Sequence, residues 1–111
     1  MTDLLRLTTI GAKSGKEHTA TLRYLLDNDR FIVFAANAGS ANNPDWYYNL
    51  MTHPQVTIEI NSSIFHATTT LLTGEERERL IAKRVETYPH FAEYLAKTSR
   101  TIPVIALKRI S

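Results

Sequence analysis

The chain contains no cysteine, so disulfide bonds, thiolate nucleophiles and cysteine-based zinc or iron–sulfur sites are excluded. It also lacks a long hydrophobic run, and no segment approaches the ~20 apolar residues that a membrane-spanning helix needs. Residues 1–6 show neither the basic region nor the apolar region of a secretory signal. These absences predict a protein without a membrane span that is located in the cytoplasm.

The chain also lacks a large excess of charge of either sign. The 13 basic and 11 acidic residues leave a net charge of +2, which is too small to indicate a nucleic-acid partner. The isoelectric point near 9.0 still suits a small anionic ligand. With 111 residues, of which 43% are hydrophobic and 22% charged, the sequence predicts one compact globular domain over residues 1–111.

The order of strand-like and helix-like segments predicts an α+β fold. Turn residues rather than helical crossovers join most of the strand-like runs, which favours an antiparallel sheet or a small barrel with helices packed outside. The almost wholly apolar run at residues 30–36 predicts a central strand buried on both faces, and Pro103 predicts that the last strand begins at a sheet edge. About six strands are predicted, over residues 4–10, 18–26, 30–36, 56–60, 64–72 and 102–107.

Three short helices are predicted from the residues that start and stop them. Asn43 is expected to be the N-cap of the first helix, with Pro44 as its first helical residue. Thr73 with Glu76 three positions later forms a capping box, which predicts the start of the second helix. The helices are expected over residues 44–51, from residue 74 to the break at Pro89, and over residues 90–97.

A glycine-rich loop follows the first predicted strand. Gly11 and Gly15 free the backbone to present N–H groups, while Lys13 and Ser14 between them add a positive charge and a hydroxyl. Such a loop can hold a phosphate or a carboxylate, and His18 directly after it could join the site. The loop is not a Walker A motif, because three residues separate the glycines and a strand follows. A solvated hairpin turn is the alternative interpretation.

Other common chemistries find no support in the sequence. The four histidines include no pair at the i, i+4 spacing of a helical zinc site, so no metal site is predicted. A G-x-S-x-G nucleophile elbow is missing. The acidic residues at 75–79 are better explained as a helix start and a solvated helix face than as paired catalytic carboxylates.

Aromatic residues form two clusters. Residues 46–48 are Trp-Tyr-Tyr on the first predicted helix, and Tyr88, Phe91 and Tyr94 lie around the break at Pro89. Packing in the core is the simpler interpretation. The alternative is a flat aromatic ligand between the clusters, with the hydroxyls of Tyr88 and Tyr94 beside a ring system. Together with the glycine-rich loop, the residues themselves indicate a small antiparallel α+β domain that binds an anionic, aromatic ligand.

Four segments resemble, in order, motifs of the deazaflavin-dependent nitroreductase family. Residues 8–15 (T-T-I-G-A-K-S-G) resemble the family's T-T-x-G-x-K-S/T-G, and residues 43–50 (N-P-D-W-Y-Y-N-L) resemble N-P-x-W-Y-x-N-L. Residues 53–60 resemble the strand entry N-P-x-V-x-V-x-V. The C-terminal pattern Y-P…Y…R-x-I-P-V is matched by Tyr88, Pro89, Tyr94 and residues 101–104. The resemblance covers nearly the whole chain.

This resemblance implies a split β-barrel related to the flavin-binding barrels of pyridoxamine-phosphate oxidases. It also implies binding of coenzyme F420, a deazaflavin with a phospholactyl-polyglutamate tail, and hydride transfer to quinones, nitro compounds or other activated double bonds. Tyr88 and Tyr94 would border the acceptor pocket as catalytic residues. Lys13 and Ser14 would hold the phosphate end of the coenzyme. The other implied coenzyme contacts are His18, Thr21 and Leu22 along a strand, and Asn37, Trp46, Asn49 and Phe91 near the ring.

Several positions depart from the family pattern. Ala12 and His18 stand where many relatives have Arg, which predicts a weaker and pH-dependent hold on the tail, because imidazole titrates near neutrality. Ala36 replaces a common Ser, and Phe91 replaces the Tyr of nitroreductive members. Coenzyme binding is therefore a firmer expectation than nitroreduction. The chain also begins close to its first strand, which predicts a soluble form whose site no N-terminal extension covers.

Two alternatives to this function stay open at the level of sequence. The barrel could carry an apolar or lipid-like ligand without turnover, or it could be a reductase that uses FMN. A homodimer is plausible because split barrels often pair, and the resemblance allows peripheral association with a membrane.

Overall fold

The computed structural model describes residues 3–110. Seven strands form one sheet, and three α-helices lie between strands in the chain. The strands are β1 (Leu4–Ile10), β2 (Glu17–Arg23), β3 (Leu25–Asp27), β4 (Arg30–Phe34), β5 (Gln55–Ile60), β6 (Ser63–Leu72) and β7 (Val104–Arg109). The helices are α1 (Asp45–Thr52) between β4 and β5, and α2 (Gly74–Thr87) and α3 (His90–Lys97) between β6 and β7.

The sheet closes on itself through a bend at Tyr24. Its order is β2-β1-β5-β6-β7-β4-β3, and all neighbouring strands are antiparallel. β2 and β3 are separated only by Tyr24, yet they lie at opposite ends of this order. On the N-terminal side of Tyr24, β2 pairs with β1. β4 pairs with β7, so β2 and the C-terminal end of β4 are not hydrogen-bonded to each other. The expected antiparallel barrel with helices is confirmed, and it is split along β2.

Alternation along the strands separates the inside of the barrel from its outside. On β1, Leu5 and Leu7 are buried while Leu4 and Arg6 are exposed. Opposite faces of β4 are buried as predicted: Val33 joins the barrel core, and Ile32 packs in a cluster with Leu80 of α2. A third cluster, beside α3, consists of Ala36, Phe91 and Ile102. Burial of this apolar surface is the main stabilising contribution to the fold.

The start of the first predicted helix and the capping box of the second need correction. Asn43 is not the N-cap and Pro44 is not the first helical residue: Pro44 has extended backbone at the N-cap position, and α1 begins at Asp45. The amide oxygen of Asn43 instead accepts a hydrogen bond from Arg100 at 2.5 Å. At α2, Thr73 is the N-cap, but its side chain makes no capping bond.

Strand predictions also need correction at two points. The predicted strand over residues 18–26 is two strands, because the chain changes partner from β1 to β4 at Tyr24. Pro103 does not mark a sheet edge, since β7 lies between β6 and β4. The proline stands just before the strand, where its missing N–H costs no ladder bond, and its carbonyl accepts from the Ala35 amide at 2.9 Å. Within residues 3–110, no helix is long and apolar enough to span a membrane.

Candidate functional site

Two cavities lie along β2. The larger, of about 870 Å³, is bordered by the first half of β2, the loop after β1 and helix α1. The smaller, of about 300 Å³, is bordered by the second half of β2, the residues that follow β4, and helices α2 and α3. The split in the barrel therefore gives β2 a series of side chains that serve both cavities.

The loop at residues 11–16 is folded tightly over the larger cavity. The Gly11 amide donates to the Lys16 carbonyl at 2.7 Å, and Gly15, with φ of +72°, donates to the Gly11 carbonyl at 3.0 Å. A Cβ atom on Gly11 would lie 2.4 Å from the Ser14 Oγ and 3.0 Å from the His18 Nε2. Glycine at position 11 is thus required for Ser14 and His18 to approach each other.

Polar groups of this loop lie close together at the larger cavity. The Ser14 hydroxyl accepts from the Lys16 amide at 3.2 Å and lies 3.5 Å from the His18 Nε2. Lys13 lines the same cavity, and no carboxylate within residues 3–110 forms an ion pair with it. Asp45 also lines the cavity, at the start of α1. A free ammonium, a hydroxyl and an imidazole are a donor set that fits a phosphate-bearing tail.

Asn49 fixes the loop to helix α1. Its Oδ1 accepts from the Ala12 amide at 3.0 Å, and its Nδ2 donates to the Thr9 Oγ1 at 3.1 Å. Asn49 and Thr9 are both buried. The oxygen of the Asn49 amide and one of its N–H groups are therefore both hydrogen-bonded within the protein. The bond to the Ala12 amide fixes the position of Ala12, next to Lys13.

Aromatic side chains form the wall of the smaller cavity. Tyr88 and Tyr94 have ring centres 6.4 Å apart, and Phe91 packs edge-on against Phe34 at 5.2 Å and Tyr94 at 6.3 Å. A hydrogen bond with Tyr88 is the main cause that raises the pKa of Tyr94, and burial adds to the effect. The Tyr94 hydroxyl therefore stays protonated throughout the neutral range.

The Asn37 side of this cavity is held by Arg100. The Arg100 guanidinium donates to the carbonyls of Ala35 at 3.1 Å, Ala36 at 2.8 Å and Ser40 at 2.9 Å. Asn37 itself has a left-handed backbone (φ of +48°) and donates from its Nδ2 to the Asn42 carbonyl at 3.0 Å. Arg100 thus fixes the loop that carries Asn37 between β4 and α1.

The structure brings the residues singled out from the sequence into two groups. One group lines the larger cavity: Lys13, Ser14, His18, Trp46 and Asn49. The other lines the smaller cavity: Thr21, Leu22, Asn37, Tyr88, Phe91 and Tyr94. The expected grouping of Asn37 with Trp46 and Asn49 is thus not found in one cavity. Leu22 also packs against the barrel core, and Phe91 is only 2% exposed.

The sequence did not predict three arginines as site residues: Arg23, Arg84 and Arg100. Arg23 and Arg84 line the smaller cavity, and Arg100 organises its edge. A signal existed for Arg84, because it stands four residues after Leu80 and four before Tyr88, on the apolar face of the predicted helix. A metal site finds no residues here: within residues 3–110, no cluster of three His, Cys, Asp or Glu could hold an ion.

Comparison with known proteins agrees with this geometry. The sequence model of the family described as F420H(2)-dependent quinone reductase matches residues 1–109. A protein of Mycobacterium tuberculosis that is provisionally named an F420H(2)-dependent quinone reductase is 38% identical over 96 residues, which are 86% of this chain and 81% of the relative.

Solved structures give the same result. One described as an F420-H2 dependent reductase is 36% identical with a TM-score of 0.85, over 96% of this chain and 94% of the other. A second, described as a domain-swapped dimer, is 36% identical with a TM-score of 0.86, over 96% of this chain and 80% of the other.

Structures with low sequence identity to this chain are similar to it in fold only. A Listeria innocua protein provisionally described as a pyridoxamine 5′-phosphate oxidase is 13% identical with a TM-score of 0.68, over 98% of this chain and 85% of the other. The expected split β-barrel is therefore confirmed. The chain belongs to the family of F420H(2)-dependent quinone reductases, enzymes whose cofactor is coenzyme F420.

Proposed function

We propose that this chain reduces quinones by holding coenzyme F420 along β2, with the anionic tail in the larger cavity and the acceptor at the smaller one. The observation that carries the proposal is the run of one strand past both cavities: His18 and Ala20 line the larger, and Thr21 and Arg23 line the smaller. A cationic loop at one end and an aromatic wall at the other suit a ligand with a charged tail and a flat ring.

The larger cavity is proposed to hold the tail. Lys13 supplies the positive charge for the phosphate, and Ser14 and His18 supply hydrogen bonds beside it. Asn49 acts on the tail through the loop rather than by direct contact, because its amide is already bonded to Ala12 and Thr9. The remaining proposed coenzyme contacts are Thr21, Leu22, Asn37, Trp46 and Phe91.

The bound coenzyme supplies the hydride, so the protein contributes mainly alignment and a proton. Tyr94 is proposed to donate a proton to the reduced acceptor, because its raised pKa keeps the hydroxyl protonated. Tyr88, whose hydrogen bond with Tyr94 is the main cause of that raised pKa, is proposed to position the Tyr94 hydroxyl. Phe91, Phe34 and the tyrosine rings exclude water from the acceptor.

Binding of oxidised coenzyme F420 tests the proposal directly. We expect fluorescence titration to give micromolar or tighter affinity, and Lys13→Ala to weaken it by at least about tenfold, since a charge-assisted hydrogen bond contributes roughly 1.5–3 kcal/mol. Lys16→Ala is the matched control, because it removes the same charge from the same loop at a residue outside the cavity lining. Equal affinity of the two variants would contradict the proposed tail site.

Assays with the same purified protein test the range of acceptors and the two alternative functions. Quinones are the proposed acceptors, and nitro compounds and other activated double bonds are tested beside them by following oxidation of the reduced coenzyme. A titration with FMN tests the flavin alternative. The carrier alternative gains nothing from the cavities, since each contains charged side chains and the inward faces of the strands form a packed apolar cluster.

The chain is also proposed to form a homodimer. A homodimer is supported by the similar structure described as a domain-swapped dimer, and light scattering during gel filtration tests it. A cytoplasmic location, with or without peripheral membrane association, stays a prediction that cell fractionation tests.

A further inference from the structure

Arg84 is a buried cation for which the described part of the chain supplies no counterion. It lies on α2, lines the smaller cavity and is 8% exposed, yet its Nε has no hydrogen-bond partner. Within residues 3–110, no carboxylate forms an ion pair with it. A buried charge of this kind is costly unless something pairs with it, so the site calls for an anion.

Aromatic contacts do not satisfy this guanidinium. The Arg84 Cζ lies 4.8 Å from the ring centre of Tyr88 and 5.7 Å from that of Phe34. Rings take the faces of a guanidinium, whereas its N–H groups point outward in its plane. The stacking therefore fixes the orientation of Arg84, which lines the cavity, and supplies no hydrogen bond to its N–H groups.

A second cation stands at the same ring. The Arg23 Cζ, at the end of β2, lies 4.9 Å from the ring centre of Tyr88, and Arg23 also lines the smaller cavity. Burial, followed by the charge of Arg23, lowers the pKa of Arg84, while Tyr88, Asp3 and Tyr94 act in the opposite direction. Two mutually repelling guanidinium groups beside one ring are stabilised by a negative charge between or beside them.

We propose that Arg84 and Arg23 bind an anionic oxygen on the ring of the acceptor, which makes ionised hydroxyquinones the preferred class of quinone. The flat walls formed by Tyr88, Phe91 and Phe34 suit the ring, and the guanidinium groups suit the oxyanion. This assignment of a substrate class rests on the proposed function, but the anion site itself is a property of the apo protein.

Two probes of almost identical shape separate charge from fit. 2-Hydroxy-1,4-naphthoquinone is ionised at neutral pH and 1,4-naphthoquinone is neutral, and calorimetric titration of the apo protein compares their affinities. We expect the wild type to bind the ionised probe at least tenfold more tightly. Arg84→Met should abolish this preference, Arg84→Lys should keep part of it, and Arg23→Met should reduce it about threefold. Lys83→Met, an exposed charge on the same helix, should leave it unchanged.

The outcomes that overturn the inference are specific. A wild type that binds both probes equally, or a preference that survives in both Arg84→Met and Arg23→Met, would refute it. If Arg84→Met loses all binding through misfolding, an unchanged preference in Arg84→Lys and Arg23→Met together would refute it equally. If saturating oxidised coenzyme F420 displaces the ionised probe, the arginines serve the coenzyme and the acceptor assignment is wrong.

Failure of the inference and failure of the proposed function give different results. A chain that binds coenzyme F420 but shows no preference for the ionised probe keeps the proposed function and loses the anion site. A chain that does not bind the coenzyme, but prefers the ionised probe through Arg84, loses the proposed function and keeps the site.

Discussion

The side-chain amide of Asn49 accepts a hydrogen bond from the backbone amide of Ala12 at 3.0 Å, so helix α1 holds the loop that carries Lys13. The same side chain donates to the buried hydroxyl of Thr9 at 3.1 Å. Asn49 thus positions the candidate anion site, while its own side-chain amide is hydrogen-bonded to Ala12 and Thr9. Loop geometry and tail affinity should therefore respond together to a change at Asn49.

Asn49→Ala tests this coupling. The substitution leaves the Ala12 amide and the Thr9 hydroxyl without their partner, so we expect the free energy of unfolding to fall by about 2 kcal/mol. The affinity for oxidised coenzyme F420 should fall several-fold as the loop loses its anchor. Urea unfolding and fluorescence titration measure the two effects. Gln55→Ala, an exposed amide on β5, should change neither, and an unchanged affinity in Asn49→Ala would show that the loop does not depend on this anchor.

Tyr94→Phe tests the proposed proton donor. Removing the hydroxyl should lower kcat for quinone reduction by about tenfold or more, because general acid catalysis typically contributes that much, and should leave coenzyme affinity nearly unchanged. Since the pKa of Tyr94 is raised, loss of its proton should cause no decline of the wild-type rate between pH 6 and 9. Steady-state kinetics across this pH range measure both. Tyr48→Phe removes an exposed hydroxyl at the larger cavity and should behave as wild type; an equal loss in both variants would argue against a specific role for Tyr94.

Local parts of the site could be predicted from the sequence, because the residues that form them are neighbours in the chain. Lys13 and Ser14 lie in the loop, His18 is the second residue of β2 directly after it, and this short stretch of chain brings all three to one cavity. The almost continuous apolar run likewise predicted that both faces of β4 are buried. The division of Asn37 from Trp46 could not be predicted, since it depends on the change of partner strand at Tyr24.

Polar contacts between residues far apart in the chain could not be predicted from the sequence either. Asn43 has the residue type of an N-cap, but its side chain is engaged by Arg100, which is 57 positions away. Thr73 and Glu76 have the spacing of a capping box, yet the Glu76 carboxylate pairs with Arg30 at 2.8 Å. Local signals predicted the helices near their correct positions, and distant arginines decided what the capping side chains do.

Arg100→Lys tests how the loop after β4 is held. Arg100 donates to the carbonyls of Ala35, Ala36 and Ser40, a pattern that needs a planar fork and that a single ammonium does not reproduce. We expect the free energy of unfolding to fall by about 2 kcal/mol and the melting temperature by roughly 5–10 °C. Calorimetry measures both. Lys97→Ala, which removes one exposed bond to the Ala38 carbonyl at 3.3 Å, should cost under about 1 kcal/mol, and an equal effect in both variants would contradict the special role of Arg100.

Asp27 should control the stability of the fold at acid pH. Hydrogen bonds from Arg79 and Arg30 lower its pKa from the ordinary value of 3.8 to about 2. Because the unfolded chain takes up this proton at a higher pH than the folded chain, the contribution is complete above about pH 5 and is lost as the pH falls towards 2.

Asp27→Asn isolates that contribution. At pH 7 the variant should be less stable by roughly 1–2 kcal/mol, which is below what the shift alone corresponds to, because the exposed Arg79 is screened by solvent. The difference from wild type should shrink steadily below pH 5, as urea unfolding at a series of pH values would measure. Asp29→Asn breaks a 3.7 Å pair with Lys108 between two exposed side chains, and should have almost no effect at any pH. A stability difference for Asp27→Asn that stays constant from pH 7 to pH 3 would mean that the carboxylate charge contributes nothing and that only packing was lost.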